Sequence, residues 1–388
     1  MKIETIEIHN FKVLQNVVIN NIGSIAVFLG ENGVGKSTLF DVFGFMKTCL
    51  TENVRSALQA RGGYDEVHSR DSTGDIQLIF KYRVSPENPL FTYDLQICLN
   101  EKNESVIKYE ALKYDYSGKD LYSFARKNTM VTITKNRVQL DNKIMADQVL
   151  TMSSPDILAL SVIGQMAEYQ AAVEFRRFIE DWFVSEFQIN QARSTQDVSY
   201  NERLNRNGDN LANVAQFLHD QYPKEFKAIL KKMQDRIPGV TKVDAKTTEE
   251  GRILLKFSDG RFKDPFAARY VSDGTIKMFA YLVMLADPNP HLLLCIEEPE
   301  NQLYPHLLEV LAEEFKNYTH KGGQVFISTH SPDLVNALEP QELYFIKKQI
   351  SGYSEIKSVS ENALVVNLFK EGDKLGYLWK EGVLGESK

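Results

Sequence analysis

An α/β fold with a parallel core sheet is predicted by three observations. An apolar strand feeds a glycine-rich turn and a helix, two later apolar strands end in acids and in a histidine, and helical stretches alternate with all of them. An antiparallel β section and an inserted helical arm complete the expected architecture. The expected division is an N-terminal lobe over residues 1–165, the arm over 166–240 and a C-terminal lobe over 241–388.

Alternation at Ile3, Ile6 and Ile8, then residues 17–19, then the apolar run 25–29 read as three strands, the last of them buried. Residues 38–50 carry Leu39, Phe40, Val42, Phe43 and Met46 at helical spacing, so the glycine turn opens a helix. From Asp75 to about Ile144, runs such as IQLIFKYRV, FTYDLQICL and MVTITK are β-branched and aromatic between polar breaks, which predicts antiparallel hairpins. Residues 154–236 turn helical, with an aromatic-rich stretch at 172–187 and apolar residues three and four apart over 211–233. Between them, 190–210 is polar and reads as a mobile loop. Two short strands (VTKVDAK, ILLKF) precede a segment, 266–287, whose second half is helical. Then HLLLCIEEPE reads as a buried strand, 305–318 as a helix, and GGQVFIST and LYFIKK as two more strands. The glycine-dotted tail over 368–388 receives no role.

A content of 43% hydrophobic and 25% charged residues is that of a globular protein. No window approaches the roughly 18 consecutive apolar residues of a membrane span, and the start alternates like a strand, so no membrane association is expected. Cys49, Cys98 and Cys295 are odd in number and form no CxxC pair, which argues against a disulfide framework or a zinc site and predicts a reducing cytoplasm. A formal charge of −7 speaks against a surface that coats nucleic acid indiscriminately, and it leaves DNA binding by one basic face open.

Residues 30–37, GENGVGKS, match G-x-x-x-x-G-K-[ST] in full, between a strand and a helix as the chemistry requires. Gly30, Gly33 and Gly35 let the backbone N–H groups of the loop, those of Asn32 and Val34 included, turn onto phosphate oxygens. The helix start at Lys36, Ser37 and Thr38 adds partial positive charge, Lys36 bridges the outer phosphates, and the Ser37 hydroxyl joins the shell of a Mg²⁺ ion. ATP and Mg²⁺ are therefore the expected ligands. Glu297 and Glu298 stand at the carboxyl end of an apolar strand, where ligands bind in open α/β sheets. One is expected to hold the metal, Glu297, and its neighbour Glu298 to orient the hydrolytic water. A solvated acid cluster before a helix is the plainer alternative. His330, at the tip of the next strand, is placed to reach a γ-phosphate and register its loss; alone, it would be a surface turn.

These pieces, in this order, resemble the ATP-binding-cassette ATPase heads of the SMC, RecF and OLD group, and the likeness covers most of the chain. It implies a P-loop NTPase of ABC-ATPase-head type and maps the P-loop onto 30–38, the Walker B strand onto 292–298, the D-loop onto 301–305 and the switch histidine onto His330. It adds a signature-like motif, VSDGT at 271–275, whose Ser272 and Gly274 would contact the ATP held by a second subunit; without the likeness, SDGT is a helix cap. Asn10-Phe11-Lys12 resembles the group's NFR-type motif and makes Lys12 a phosphate candidate, and Gln165 is the candidate Q-loop glutamine touching Mg²⁺.

Glu297 stands where the group usually has Asp, and Asp273 and Thr275 depart from the LSGGQ of transporter ATPases. The span between Lys36 and Glu298 leaves room for a hairpin insert and a helical arm, not for an SMC coiled coil, and the stretch after His330 is too short for the Toprim nuclease domain of OLD proteins. RGGYDEV, SDGT, EEPENQLYP, STHSP and GDKLGYLWKEGVLG look most like the stand-alone AAA_21-type, RecF-like ATPases, which often act in bacterial anti-phage systems beside a separate effector such as a Toprim-like nuclease or a toxin. The likeness thus implies a homodimer, or a higher oligomer, closing on ATP. An ATP-gated scaffold or sensor with little turnover, and a RecF-like DNA repair clamp, stay open beside it.

Overall fold

The computed structural model describes residues 1–116, 119–133 and 148–384. Residues 134–147 at the end of the expected hairpin section, and Gly385 of the tail, lie outside the described residues. The chain is shared between two units: Met1–Trp182 with Pro340–Gly372 and Gly382–Lys388, and Phe183–Glu339 with Asp373–Glu381.

In the first unit, β1 (Lys2–Phe11) and β2 (Leu14–Ile19) pair antiparallel and bury Ile3, Ile6, Ile8, Val17 and Ile19. All five residues of β3 (Ile25–Leu29) are buried, and the chain passes through the glycine loop into α1 (Lys36–Thr51). After the short α2 (Val54–Gln59) and α3 (Tyr64–Val67) come β4 (Ile76–Arg83), β5 (Phe91–Leu99), β6 (Ser105–Tyr116), β7 (Lys119–Lys127), β8 (Met130–Ile133) and β9 (Gln148–Thr151). The hairpins form one antiparallel sheet in the order β2-β1-β4-β5-β6-β7-β8-β9. Then α4 (Ala159–Ile163) and α5 (Gln170–Glu180) follow. Phe175 of α5 stacks on Tyr82 of the sheet with ring centroids 4.4 Å apart, and Trp182, just past the helix, packs edge-on to Phe43 of α1.

Glu110 of β6 and Arg126 of β7 are both fully buried in this unit. Glu110 accepts from the Ala159 and Leu160 amides and the Tyr93 hydroxyl, while Arg126 donates to the carbonyls of Asn128, Ile157, Ser154 and Pro155. Burial raises the carboxyl pKa and lowers the guanidinium pKa, so each ion depends on the other and on these bonds to stay charged.

The second unit begins with β10 (Phe183–Ser185), which corrects the reading of 172–187 as helical: α5 ends at Glu180, and the run Phe183, Val184, Ser185 pairs parallel with a strand more than a hundred residues later. Next come α6 (Ile189–Ala192), β11 (Gln196–Asp197), α7 (Leu211–Gln221) and α8 (Pro223–Arg236). Residues 190–210 are a tied loop instead of the loose one expected. Asn210 Oδ1 accepts from the Asn205 amide, its Nδ2 donates to Arg203, and Asn213 holds Asp197 and Ser199. Side-chain amides here replace the backbone partners that polar composition alone does not reveal. A small antiparallel sheet, β12 (Val240–Thr247), β13 (Arg252–Asp259) and β14 (Phe266–Ala267), leads into α9 (Asp273–Leu285), buried from Gly274 onward. Then β15 (Leu293–Glu297), α10 (Pro305–His320), β16 (Gln324–Thr329) and α11 (Pro332–Val335) complete a parallel β10-β15-β16 arrangement.

The chain returns to the first unit with β17 (Leu343–Lys348), parallel to β3, then β18 (Ser354–Ser358), antiparallel at its side, and α12 (Ala363–Glu371). The last helix, α13 (Leu375–Lys380), belongs again to the second unit. No helix among the described residues is long and apolar enough to cross a membrane.

Candidate nucleotide loop and catalytic cluster

The loop between β3 and α1 is built for close approach. At Gly30 a Cβ would lie 2.6 Å from the Ile346 carbonyl oxygen and 2.9 Å from Val34 Cγ2, so a side chain there forces backbone to move. Gly35, with φ 108°, is the N-cap of α1, and a Cβ on it would meet Ser354 Oγ at 2.5 Å. That hydroxyl donates to the Val34 carbonyl and fixes the loop from β18. The 16-residue α1 has no side-chain cap and no acid in its first turn, so no carboxylate of its own opposes the partial positive charge at its start. Ser37, Asn32 and Gly33 are exposed, whereas Lys36 is only 5% exposed and donates its ammonium to the carbonyls of Gly30 and Glu31, each at 2.9 Å. A cation parked on the loop's own carbonyls is ready to exchange them for phosphate oxygens.

Lys12 sits in the left-handed region at φ 51°, and its ammonium pairs with Asp41 of α1 at 2.6 Å. Arg61 holds the other oxygen of Asp41 at 2.7 Å. Gln165 is exposed after α4, and its amide donates back to the Ser161 carbonyl.

In the second unit, four buried residues of β15 deliver Glu297 and then Glu298, which is strained at φ 42°. The Glu298 amide donates to the Ser328 carbonyl at 2.9 Å, and the carboxylate accepts from Asn301 Nδ2 at 3.0 Å. His330 Nδ1 lies 3.6 Å from Glu298 Oε1 and 3.2 Å from Glu300 Oε1, out of line for a hydrogen bond with either. Glu300, nearly buried, accepts from the His330 amide at 2.7 Å and the Thr329 hydroxyl at 2.8 Å, and so ties the tip of β16 to the loop after β15. Glu298 and His330 are thereby brought together.

Ser272 is exposed and caps α9, its Oγ accepting from the Thr275 amide at 3.4 Å and lying 2.8 Å from the Thr275 hydroxyl. A Cβ on Gly274 would lie 2.8 Å from the Gln302 carbonyl oxygen, so this position lets α9 approach the loop after Glu298.

Lys277 was not singled out by the sequence. It is 5% exposed on α9 and donates to the Asn301 carbonyl at 2.7 Å, with the Glu298 carbonyl 3.5 Å away. Burial lowers its pKa from 10.5 to about 8, against the opposing pull of Glu300 and Glu298. Its sequence signal is the one charge inside IKMFAYLVML, an otherwise apolar helical run. Lys277, Tyr281, Glu297, Glu298 and Asn301 line an open groove of about 550 Å³ with residues 186–188 and Gln302. Among the described residues no three acids, histidines or cysteines are grouped as a complete metal cage. Each unit nevertheless offers a hard oxygen donor of the kind that suits Mg²⁺, the Ser37 hydroxyl in the first and the Glu297 carboxylate in the second.

A glycine-rich loop at a helix start and an acid-tipped parallel strand are the parts of a P-loop ATPase fold, and the comparisons are in keeping with that class. The chain belongs to the AAA-domain family AAA_23, whose model matches residues 5–240. A second model, AAA_21, described as "AAA domain, putative AbiEii toxin, Type IV TA system", matches residues 155–336. Among solved structures, the chain is similar to an SMC head bound to the C-terminal winged-helix domain of ScpA, with 12% identity, a TM-score of 0.56, and coverage of 93% of this chain and 100% of that one. It is also similar to the SMC head with an extended coiled coil bound to the C-terminal domain of ScpA from Pyrococcus furiosus, with 11% identity, a TM-score of 0.52 and coverage of 95% and 99%. No curated protein matches. At such identity the likeness to the solved structures concerns the fold.

Proposed function

We propose that the protein binds Mg-ATP, dimerises around it and hydrolyses it slowly to gate a separate effector in anti-phage defence. The observation that carries hydrolysis is Glu298: a carboxylate at the end of a buried parallel strand, oriented by Asn301, with His330 beside it. In this reading the P-loop amides and Lys36 hold the triphosphate, Glu298 takes a proton from the attacking water, and His330 donates to the γ-phosphoryl oxygens. Ser37 and Glu297 would hold Mg²⁺, which would supply charge neutralisation to the triphosphate; Gln165 and Lys12 are proposed as further metal and phosphate contacts. Reaching them requires Lys12 to leave Asp41 and Gln165 to leave Ser161. Ser272 and Gly274 would meet the nucleotide of a second copy, and ATP then favours the closed dimer because it makes contacts there that the open one lacks.

The test is phosphate release and light scattering on the wild type and Glu298→Gln. Hydrolysis lost in the variant, with a dimer that accumulates on Mg-ATP, is the expected pair of results; equal rates in the two proteins sink the hydrolase reading. Glu297, in the place of the usual Asp, favours one second reading, an ATP-gated scaffold with little turnover. A dimer that forms on ATP without phosphate release would single it out.

A further inference from the structure

We propose that the tail helix α13 is a positioning element for His330, acting through α11, with Gly376 and Asn336 as the residues that set the fit. The proposal rests on the hydrolytic role of His330 given above.

His330 is held from both sides. Its own amide is pinned by Glu300, and Ser331, the next residue, donates its amide to Thr329 Oγ1 at 2.9 Å and caps α11 by accepting from Leu334. With four residues, α11 is too short to hold its own shape or direction, and it takes both from what packs on it. Leu334 and Val335 are fully buried, and Lys316 donates to the Ala337 carbonyl at 2.9 Å. A further support is α13. Its Gly376 packs so closely that a Cβ would overlap the Pro332 carbonyl oxygen and come within 2.6 Å of Asn336 Oδ1 and 2.8 Å of the Pro332 carbonyl carbon.

The same Asn336 Oδ1 accepts from the Gly376 amide at 2.9 Å, so the two helices are joined by a specific bond as well as by contact. Leu375 and Leu378 are buried on either side of it. Any side chain at 376 collides with backbone, which has no rotamer to yield; either α13 lifts or α11 shifts, and the start of α11 is two residues from His330. A shift of about 1 Å in a group that touches the transferring phosphoryl is enough to lower the rate ten- to a hundredfold, with binding by the separate P-loop untouched. This gives the glycine-rich tail, to which the sequence assigned no task, a place in the catalytic cycle.

The experiment compares full-length wild type, Gly376→Ala, His330→Ala and the double variant for steady-state phosphate release, and for the dissociation constant of a fluorescent ATP analogue. Expected are a kcat about tenfold lower in Gly376→Ala, an unchanged dissociation constant, and no further loss when Gly376→Ala is added to His330→Ala. Should Gly376→Ala fold poorly, Asn336→Leu replaces it, with Asn336→Asp, which keeps the acceptor oxygen, expected to retain the wild-type rate. A folded Gly376→Ala at the wild-type rate, or losses that multiply in the double variant, overturn the positioning role while leaving the hydrolytic reading intact. Phosphate release that does not depend on His330 overturns the positioning role together with the catalytic role given to His330, whereas the hydrolase reading stands or falls with Glu298→Gln.

Discussion

Replacing Lys277 with methionine separates two effects that a buried charge usually mixes. The ammonium is removed from water at a cost visible in its pKa, lowered from 10.5 to about 8; taken as an order of magnitude, this is roughly 3 kcal/mol against folding at neutral pH. Its bond to the Asn301 carbonyl returns about 1.5–3 kcal/mol. The two nearly cancel, so Lys277→Met is expected to change unfolding free energy by no more than about 1–2 kcal/mol. Hydrolysis should nonetheless fall about tenfold, because the loop that carries Asn301 and orients Glu298 loses its tie to α9. The pH dependence provides an internal check. Between about pH 8 and 10.5 the unfolded chain holds the lysine proton and the folded one does not, so stability from this group rises with pH across that window, and it is lowest below pH 8. Urea unfolding of both proteins at pH 7 and pH 10 should show the wild type gaining on the variant as pH rises. A variant that loses more than about 4 kcal/mol at pH 7, or that hydrolyses ATP at the wild-type rate, refutes the reasoning.

Two further substitutions probe other parts of the molecule. Ser272→Ala removes the cap of α9 and should cost about 1 kcal/mol in urea unfolding; if Ser272 also meets the nucleotide of a second copy, the ATP-dependent rise in mass disappears while ATP still binds, and a dimer that persists leaves it a cap only. Arg126→Met strands the fully buried Glu110 and removes the guanidinium from the carbonyls of Ser154, Pro155 and Ile157, so a loss of about 3–5 kcal/mol is expected, whereas a change below about 1 kcal/mol would mean that the pair is not coupled.

The parts of the fold that were legible in the sequence are those whose signals are local. A five-residue apolar strand, a glycine loop and a periodic helix are contiguous from Ile25 to Thr51, and the alternation of β4 and β5 follows from each strand having one buried face. What escaped depends on distant partners. Phe183–Ser185 is too short to show a period, and only its pairing with Leu294, Cys295 and Ile296 makes it a strand. Asn210, at the end of the 190–210 loop, and Asn213 of α7 look like solvent-exposed residues until Arg203 and Asp197 appear as their backbone partners. At the candidate site, GENGVGKS and the paired acids announce themselves by residue type. Lys277 and Glu300 do not, because the roles of both come from carbonyls, amides and hydroxyls brought up by other elements. The docking of Gly376 on Pro332 spans two segments that share no pattern at all.

The assignment of residues to units has a consequence for how the protein comes to be made. Strand β3 leaves the ribosome fully apolar, long before its parallel partner β17 is made, with Leu343 opposite Val27. At ordinary synthesis rates of about 5–20 residues per second, β3 waits on the order of tens of seconds for that neighbour. Throughout this interval its hydrogen-bonding edge toward β17 is a template for other nascent chains. Neither unit is one contiguous stretch, so expressing a fragment cut at residue 182 would deprive β3 of β17 permanently. Such a fragment should bind chaperones or precipitate, and efforts to obtain the nucleotide loop in isolation would do better to fuse Pro340–Gly372 to it by a linker.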